Sequence, residues 1–218
     1  MGKKVAVVLS GCGVFDGAEI YEATLVQLRL DEADVEYRCL APDVNQAHVL
    51  NHMTGEEMSE TRNVMVEASR LCRGNIQNLA KADPSDYDAV IVPGGFGVAK
   101  NLSTFAFDGE GMSINESFLR FIQGMHQQKK PVGLICIAPA LAPKLFEGKV
   151  TCTVGNDDDG AALALKSMGA EHCPCQADEI CIDEENNLIT TPAYMLPIRI
   201  SEAAKGISKL VDAVLKRA

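Results

Sequence analysis

Cys136 stands where a buried apolar run, Val132-Gly-Leu-Ile135, gives way to Ile137-Ala-Pro139. A cysteine at the join of a strand and a helix is placed for nucleophilic chemistry, because the tight turn projects its side chain beyond the sheet. The amide of the next residue, Ile137, then points where an oxyanion would form, and the positive end of the following helix predicts a thiolate. Pro93-Gly-Gly-Phe-Gly97 follows another apolar run, and the Gly94 and Gly95 amides are available to the same developing charge. Ser10-Gly-Cys-Gly-Val-Phe-Asp-Gly17 follows a third. Its glycines let the backbone approach a ligand, so Gly11, Cys12 and Gly13, with Asn101, are candidate substrate contacts. Its GxGxxxG spacing departs from the GxGxxG dinucleotide fingerprint, and Ala41-Pro42 stands where that fingerprint wants an acid. A nucleotide-binding oxidoreductase is therefore the weaker alternative, and a tight glycine turn the plainer one.

Other reactive side chains form no persuasive set. His172-Cys173-Pro174-Cys175 with Cys181 has metal-ligating residue types but neither a CxxC pair nor a second nearby histidine, so loop thiols are favoured over zinc. Asp157-Asp-Asp159 lacks calcium-loop spacing and reads as a solvated helix start. His48, His52 and His126 have no partner by spacing. Cys39, Cys72 and Cys152 read as core thiols.

The elements that must position these groups can be read along the chain. Its 218 residues are 47% apolar, enough to bury roughly 70% of the unfolded surface in one domain without a staple. A net charge of −10 disfavours nucleic acid and anionic membrane as partners. Eight scattered cysteines suggest reduced thiols, and the apolar stretch 5–9 is too short for a signal-peptide core, so a cytoplasmic protein is expected.

Strands are expected over 4–9, 35–41, 88–92, 132–135 and 150–154, with a hairpin at 180–183 and 188–191. Helices are expected over 18–32, from Ser59 to Gly74, from a Ser113-x-x-Glu116 capping box to Gln128, and over 138–146, 160–168 and 201–216. Continuous apolar strands alternating with helices predict an α/β fold, a doubly wound, mostly parallel sheet with helices on both faces and active groups at the carboxyl ends of its strands.

Together, Pro93-Gly-Gly, Lys100-Asn-Leu-Ser103 and the elbow Cys136 resemble the ThiJ/PfpI branch of the class I glutamine-amidotransferase-like superfamily. The first loop from Leu9 to Gly17, Glu60-Thr-Arg-Asn-Val64, Cys136-Ile-Ala-Pro139 and Thr190-Thr-Pro-Ala-Tyr194 look like the ElbB type, the enhancing lycopene biosynthesis or sigma cross-reacting proteins. The likeness spans about residues 3–215. It implies a flavodoxin-like fold, a homodimer, and a cofactor-free glyoxalase acting on a small dicarbonyl such as glyoxal, with overlap into deglycase-type repair.

Carried over, Cys136 is the nucleophile, Gly95 and Ile137 form the oxyanion hole, and an acid early in the first helix contacts the sulfur. Counting back from the helix end, Glu22 matches that slot, with Glu19 the alternative. The chain departs from relatives that carry a histidine directly after the cysteine or on the following strand, since Ile137 and Thr153 stand there. Leu134 and Ala138 replace the glycines that flank the cysteine of glutamine amidotransferases, which argues against ammonia release from glutamine. A Cys-Glu pair remains, with His172 a distant candidate base. A non-catalytic redox sensor at Cys136 is the other alternative.

Overall fold

The computed structural model describes residues 2–146, 149–196 and 199–218. In chain order its elements are β1 (Lys4–Val8), α1 (Ile20–Glu32), β2 (Glu36–Ala41), α2 (Val64–Ala68), β3 (Ile76–Asn78), β4 (Ala89–Val92), α3 (Phe96–Lys100), α4 (Phe105–Asp108), α5 (Glu116–Gln127), β5 (Val132–Ile135), α6 (Ala142–Leu145), β6 (Thr151–Cys152), α7 (Gly160–Ser167), β7 (Glu171–His172), β8 (Cys181–Asp183), β9 (Leu188–Thr191) and α8 (Ile200–Arg217). Seven strands form one sheet in the order β3-β2-β1-β4-β5-β9-β8, parallel except for β8, which runs antiparallel to β9.

Side-chain alternation explains why both faces are covered. Val5, Val7 and Leu9 of the first strand run pack with Ala23, Val26 and Leu30 of α1 and with Ile207, Leu210 and Val214 of α8. Ala6 and Val8 point the other way, into a core shared with Phe118, Phe121, Ile122 and Met125 of α5 and Leu165 of α7. The result is the flavodoxin-like, amidotransferase-type α/β fold.

Several expected elements differ, each for a local reason. The first helix begins at Ile20 rather than residue 18, because Glu19 is extended and caps it. The helix expected from Ser59 starts only at Val64. Residues 44–46 pair with 62–64 across the chain, through Gln46 N–H to Arg62 O and Val64 N–H to Val44 O, and Asn63 supplies the cap. Arg73 and Gly74 then turn into β3, a short edge strand with too few apolar residues to be legible beforehand. Asn115, not Ser113, caps α5, accepting from the amides of Ser117 and Phe118 at 3.1 and 3.2 Å. Ser113 is held instead by Thr104.

Pro139 and Pro143 break the stretch 138–146 into a 3-10 turn and the single-turn α6, since each lacks an amide donor. The strand expected at 150–154 is not in the main sheet, because β9 occupies the place beside β5, and β6 pairs only with β7. Among the described residues, no helix is long and apolar enough to cross a membrane.

Candidate active site

Cys136 follows β5 directly and sits at φ +63°, a left-handed conformation that costs a non-glycine residue of order 1–3 kcal/mol. Its amide is anchored on Thr191 O at 3.0 Å, and the 3-10 turn 138–141 starts two residues later. The thiol faces a cavity of about 150 Å³ lined by Val14, Glu19, Gly95, Phe96, Ile137, Tyr194 and Met195. The lining is predominantly apolar, with Glu19 its only charged side chain among the described residues.

Glu22, on the first turn of α1, is wholly buried. Its carboxyl accepts from the Gly94 amide at 2.8 Å and the Tyr194 amide at 3.3 Å, and shares a hydrogen bond with the Cys136 thiol. Burial first, then the charge of Glu19, pushes the Glu22 pKa up to about 8; the bonds from Gly94, Tyr194 and Cys136 oppose this. Glu19 is a separate kind of neighbour. Its carboxylate accepts from the Glu22 amide at 2.6 Å, and its own pKa is raised by burial.

The Gly95 and Ile137 amides both point at the sulfur and favour its ionised form. They are outweighed. Burial, then the Glu22 charge, raises the thiol well above its ordinary value, so the thiolate expected from the helix terminus gives way to a protonated thiol at rest. One short 3-10 turn supplies little dipole to resist that.

Gly94 and Gly95 are glycines for steric reasons. A Cβ on Gly94 would lie 2.4 Å from the Cys136 Cβ and 2.8 Å from Glu22 Oε2. One on Gly95, at φ +97°, would lie 2.4 Å from the Glu19 amide nitrogen.

The structure thus brings Cys136, Glu22, Glu19, Gly94, Gly95 and Ile137 together. It does not bring the predicted substrate contacts Gly11, Cys12, Gly13 and Asn101 to the cavity. The first loop coils on itself, with Gly13 N–H bonded to Ala18 O and Gly17 N–H to Gly13 O, which also occupies amides that a nucleotide phosphate would need. Asn101 ties that loop down: its side chain donates to Ser10 O and Asp16 O at 2.9 Å each and accepts from the Ala47 amide at 2.9 Å. From this loop it is Val14 that lines the pocket.

No histidine reaches the thiol among the described residues. His172 Nε2 accepts from the Val154 amide at 3.2 Å, which puts its proton on Nδ1, 2.9 Å from Asp157 Oδ1. His52 packs on Phe15, His48 on Phe107 and His126 on Phe146. Thr153 is buried, with its hydroxyl accepting from Gly155 N–H at 3.1 Å. Among the described residues no three His, Cys, Asp or Glu side chains are grouped to hold a metal.

Tyr194 and Met195 were not foreseen as site residues. Thr190-Thr-Pro-Ala-Tyr194 signalled itself only as a motif; its function emerges once Ala193, at φ +42°, turns the Tyr194 amide onto Glu22.

Comparison with known proteins extends this picture. The rat ES1 protein homolog, mitochondrial, is 44% identical over 222 residues, covering 98% of this chain and 83% of that protein. The human glutamine amidotransferase-like class 1 domain-containing protein 3, mitochondrial, is 43% identical, covering 98% and 82%. The crystal structure of an isoprenoid biosynthesis protein with an amidotransferase-like domain from Ehrlichia chaffeensis superposes with a TM-score of 0.92 at 34% identity over 99% of both chains. Glyoxalase III from Candida albicans shares the fold at a TM-score of 0.61 and 15% identity, over 97% of both chains.

The mitochondrial relatives overturn the cytoplasmic expectation. Scattered free thiols report reducing surroundings, which do not distinguish one compartment from another. Residues 3–194 match the DJ-1/PfpI family, and with relatives of this identity over nearly the whole length, the chain belongs to that family.

Proposed function

We propose that this protein is a cofactor-independent glyoxalase of the ElbB-type branch, converting glyoxal to glycolate through a hemithioacetal on Cys136. The observation that carries the reading is the fully buried Glu22 carboxyl, with a pKa near 8, in contact with the Cys136 thiol beside a small apolar cavity. The Ehrlichia relative supports the branch.

The cavity has room for about five waters at ~30 Å³ each. That suits a two-carbon or three-carbon dicarbonyl. With Glu22 ionised, the thiol gives its proton to the carboxylate as sulfur adds to one aldehyde carbon, and the Gly95 and Ile137 amides hold the new oxyanion. The oxyanion takes up the proton from Glu22, completing the hemithioacetal and freeing the carboxylate again. Glu22 then removes the proton from the thiol-bearing carbon and returns it to the neighbouring carbon through an enediolate, while the hydroxyl proton passes from the first oxygen to the second, leaving a thioester of glycolate. Water cleaves the thioester to glycolate and regenerates the thiol. Glyoxal plus water thus becomes glycolic acid, with no external oxidant.

The sensor alternative requires an easily ionised Cys136 at rest, which burial and Glu22 oppose. The test is glycolate formation from glyoxal by the parent, Cys136→Ser and Glu22→Gln, each shown to be folded. Loss of at least a hundredfold in both variants is expected; full turnover by Cys136→Ser would overturn the scheme.

A further inference from the structure

The segment Lys100-Asn-Leu-Ser103 contains a second polar group besides Asn101. α3 begins directly after Gly95, which lines the Cys136 cavity, and ends at Lys100. Phe96, 49% exposed, belongs to the wall of that cavity and also to the wall of a neighbouring groove of about 240 Å³. Phe15, Leu50, Gly55 and Lys100 complete the groove. The first loop straddles the same boundary: Val14 lines the cavity, Phe15 lines the groove, and the Phe96 amide donates to Val14 O at 2.8 Å. His52 holds Phe15 in place, with ring centroids 4.9 Å apart and Phe15 N–H donating to His52 Nε2 at 3.2 Å.

The side chains of this groove are apolar except for Lys100. Its Nζ donates to Phe15 O at 2.9 Å and lies 5.3 Å from the Phe96 ring centroid. Those contacts fix the ammonium at the groove while spending one N–H donor on a neutral oxygen. Among the described residues no carboxylate pairs with it. Asp16 and Glu57 act on it only as more distant charges, since Asp16 accepts from the Leu50 amide at 2.7 Å and faces His52. An ammonium fixed at an apolar groove, with donors to spare and no counter-ion, is completed by an anion on an apolar body. The chain as a whole carries −10 and does not draw anions, so any such preference has to come from this side chain.

We propose that cavity and groove are two halves of one substrate site, in which an α-oxoaldehyde reacts at Cys136 while Lys100 holds a carboxylate at the far end of the same molecule. Glyoxal fills only the reacting half; the preferred class is an oxoaldehyde with an apolar body and an acid terminus. Lys100 stands five residues beyond Gly95, about 7–8 Å along the helix at 1.5 Å per residue. A benzene ring with its two groups para to each other covers a span of that order, and its faces suit Phe15 and Phe96. The chemistry at the aldehyde is that written for glyoxal. Sulfur adds to the aldehyde carbon, the hydrogen there moves to the ketone carbon, and water releases a 2-hydroxy acid, with no oxidant. This reaction rests on the glyoxalase reading; the contact between Lys100 and the carboxylate does not.

The experiment compares 4-carboxyphenylglyoxal with phenylglyoxal on the full chain, and measures by calorimetry the binding of the corresponding products, 4-carboxymandelate and mandelate. The parent should favour the carboxylated member of each pair about tenfold or more, in kcat/KM and in Kd. In Lys100→Gln, which keeps a donor for Phe15 O but loses the charge, both ratios should fall to about one, and Lys100→Arg should restore most of them. Equal handling of the two members by the parent would overturn the two-part site, as would binding of neither product or a ratio that survives in Lys100→Gln. The parent ratios alone can do so if a variant fails to fold. A calorimetric preference without turnover of either oxoaldehyde would sink the glyoxalase reading and leave the Lys100 contact standing. Turnover without a preference would do the reverse.

Discussion

The Glu19 carboxylate accepts the Glu22 amide hydrogen at 2.6 Å, so one acid caps the helical turn that presents the other to Cys136. The charge of Glu19 also raises the pKa of Glu22. Two effects of one residue can be separated. Glu19→Gln keeps an acceptor for the cap and removes the charge, and should move the acid limb of glyoxal turnover downward from about 8, measured as kcat/KM against pH. Glu19→Ala loses the cap as well and should cost a further ~1 kcal/mol in urea unfolding. An unchanged pH limb in Glu19→Gln would show that Glu22 does not set it.

Stability should itself depend on pH through Glu22. Its pKa rises from an ordinary 4.5 to about 8 on folding, so its favourable contribution is complete below the unfolded value and is lost as pH rises through the folded value. The span corresponds to a decline on the order of 4–5 kcal/mol for this fully buried group. Glu22→Gln removes that titration. Urea midpoints of parent and variant from pH 5 to 9 should therefore diverge, the parent losing stability and the variant staying comparatively flat. Parallel curves would refute the assignment.

Gly94→Ala drives a methyl into the Cys136 Cβ and Glu22 Oε2, whose contacts at 2.4 and 2.8 Å leave no room. A destabilisation of about 1–3 kcal/mol is expected, together with near-complete loss of turnover in the protein that remains folded. Thermal unfolding and activity per folded molecule measure the two losses separately.

Asn101 offers the opposite pattern. Asn101→Ala strips partners from Ser10 O, Asp16 O and the Ala47 amide, which should cost about 1–3 kcal/mol of stability. Because the side chain lies outside the cavity, KM for glyoxal should change less than threefold at temperatures where the variant is folded. A large rise in KM with stability intact would restore its expected role as a substrate contact.

Much of the scaffold was legible because apolar runs such as Val132–Ile135 and Ala89–Val92 have no other way to be buried than as central parallel strands. The edge strand β3 was not, since Ile76-Gln-Asn78 carries no apolar repeat and is held by its neighbour. The elbow cysteine was visible from its position after β5, whereas Glu22 came only through the family resemblance, with Glu19 left as the alternative. The thiol's ionisation was misread because a local rule about helix ends was applied without the buried acid that only tertiary packing supplies. Tyr194 was missed for a similar reason. What it gives Glu22 is an amide, and an amide has no residue type to advertise it.

The left-handed turn at Cys136 has one more implication. Glycine would rest there at ease, so the bend does not belong to the sulfur; it is a rigid socket into which a reactive atom has been set. The aiming of that atom is complete before any ligand arrives, and a visitor's affinity need not be diverted to bring it to bear.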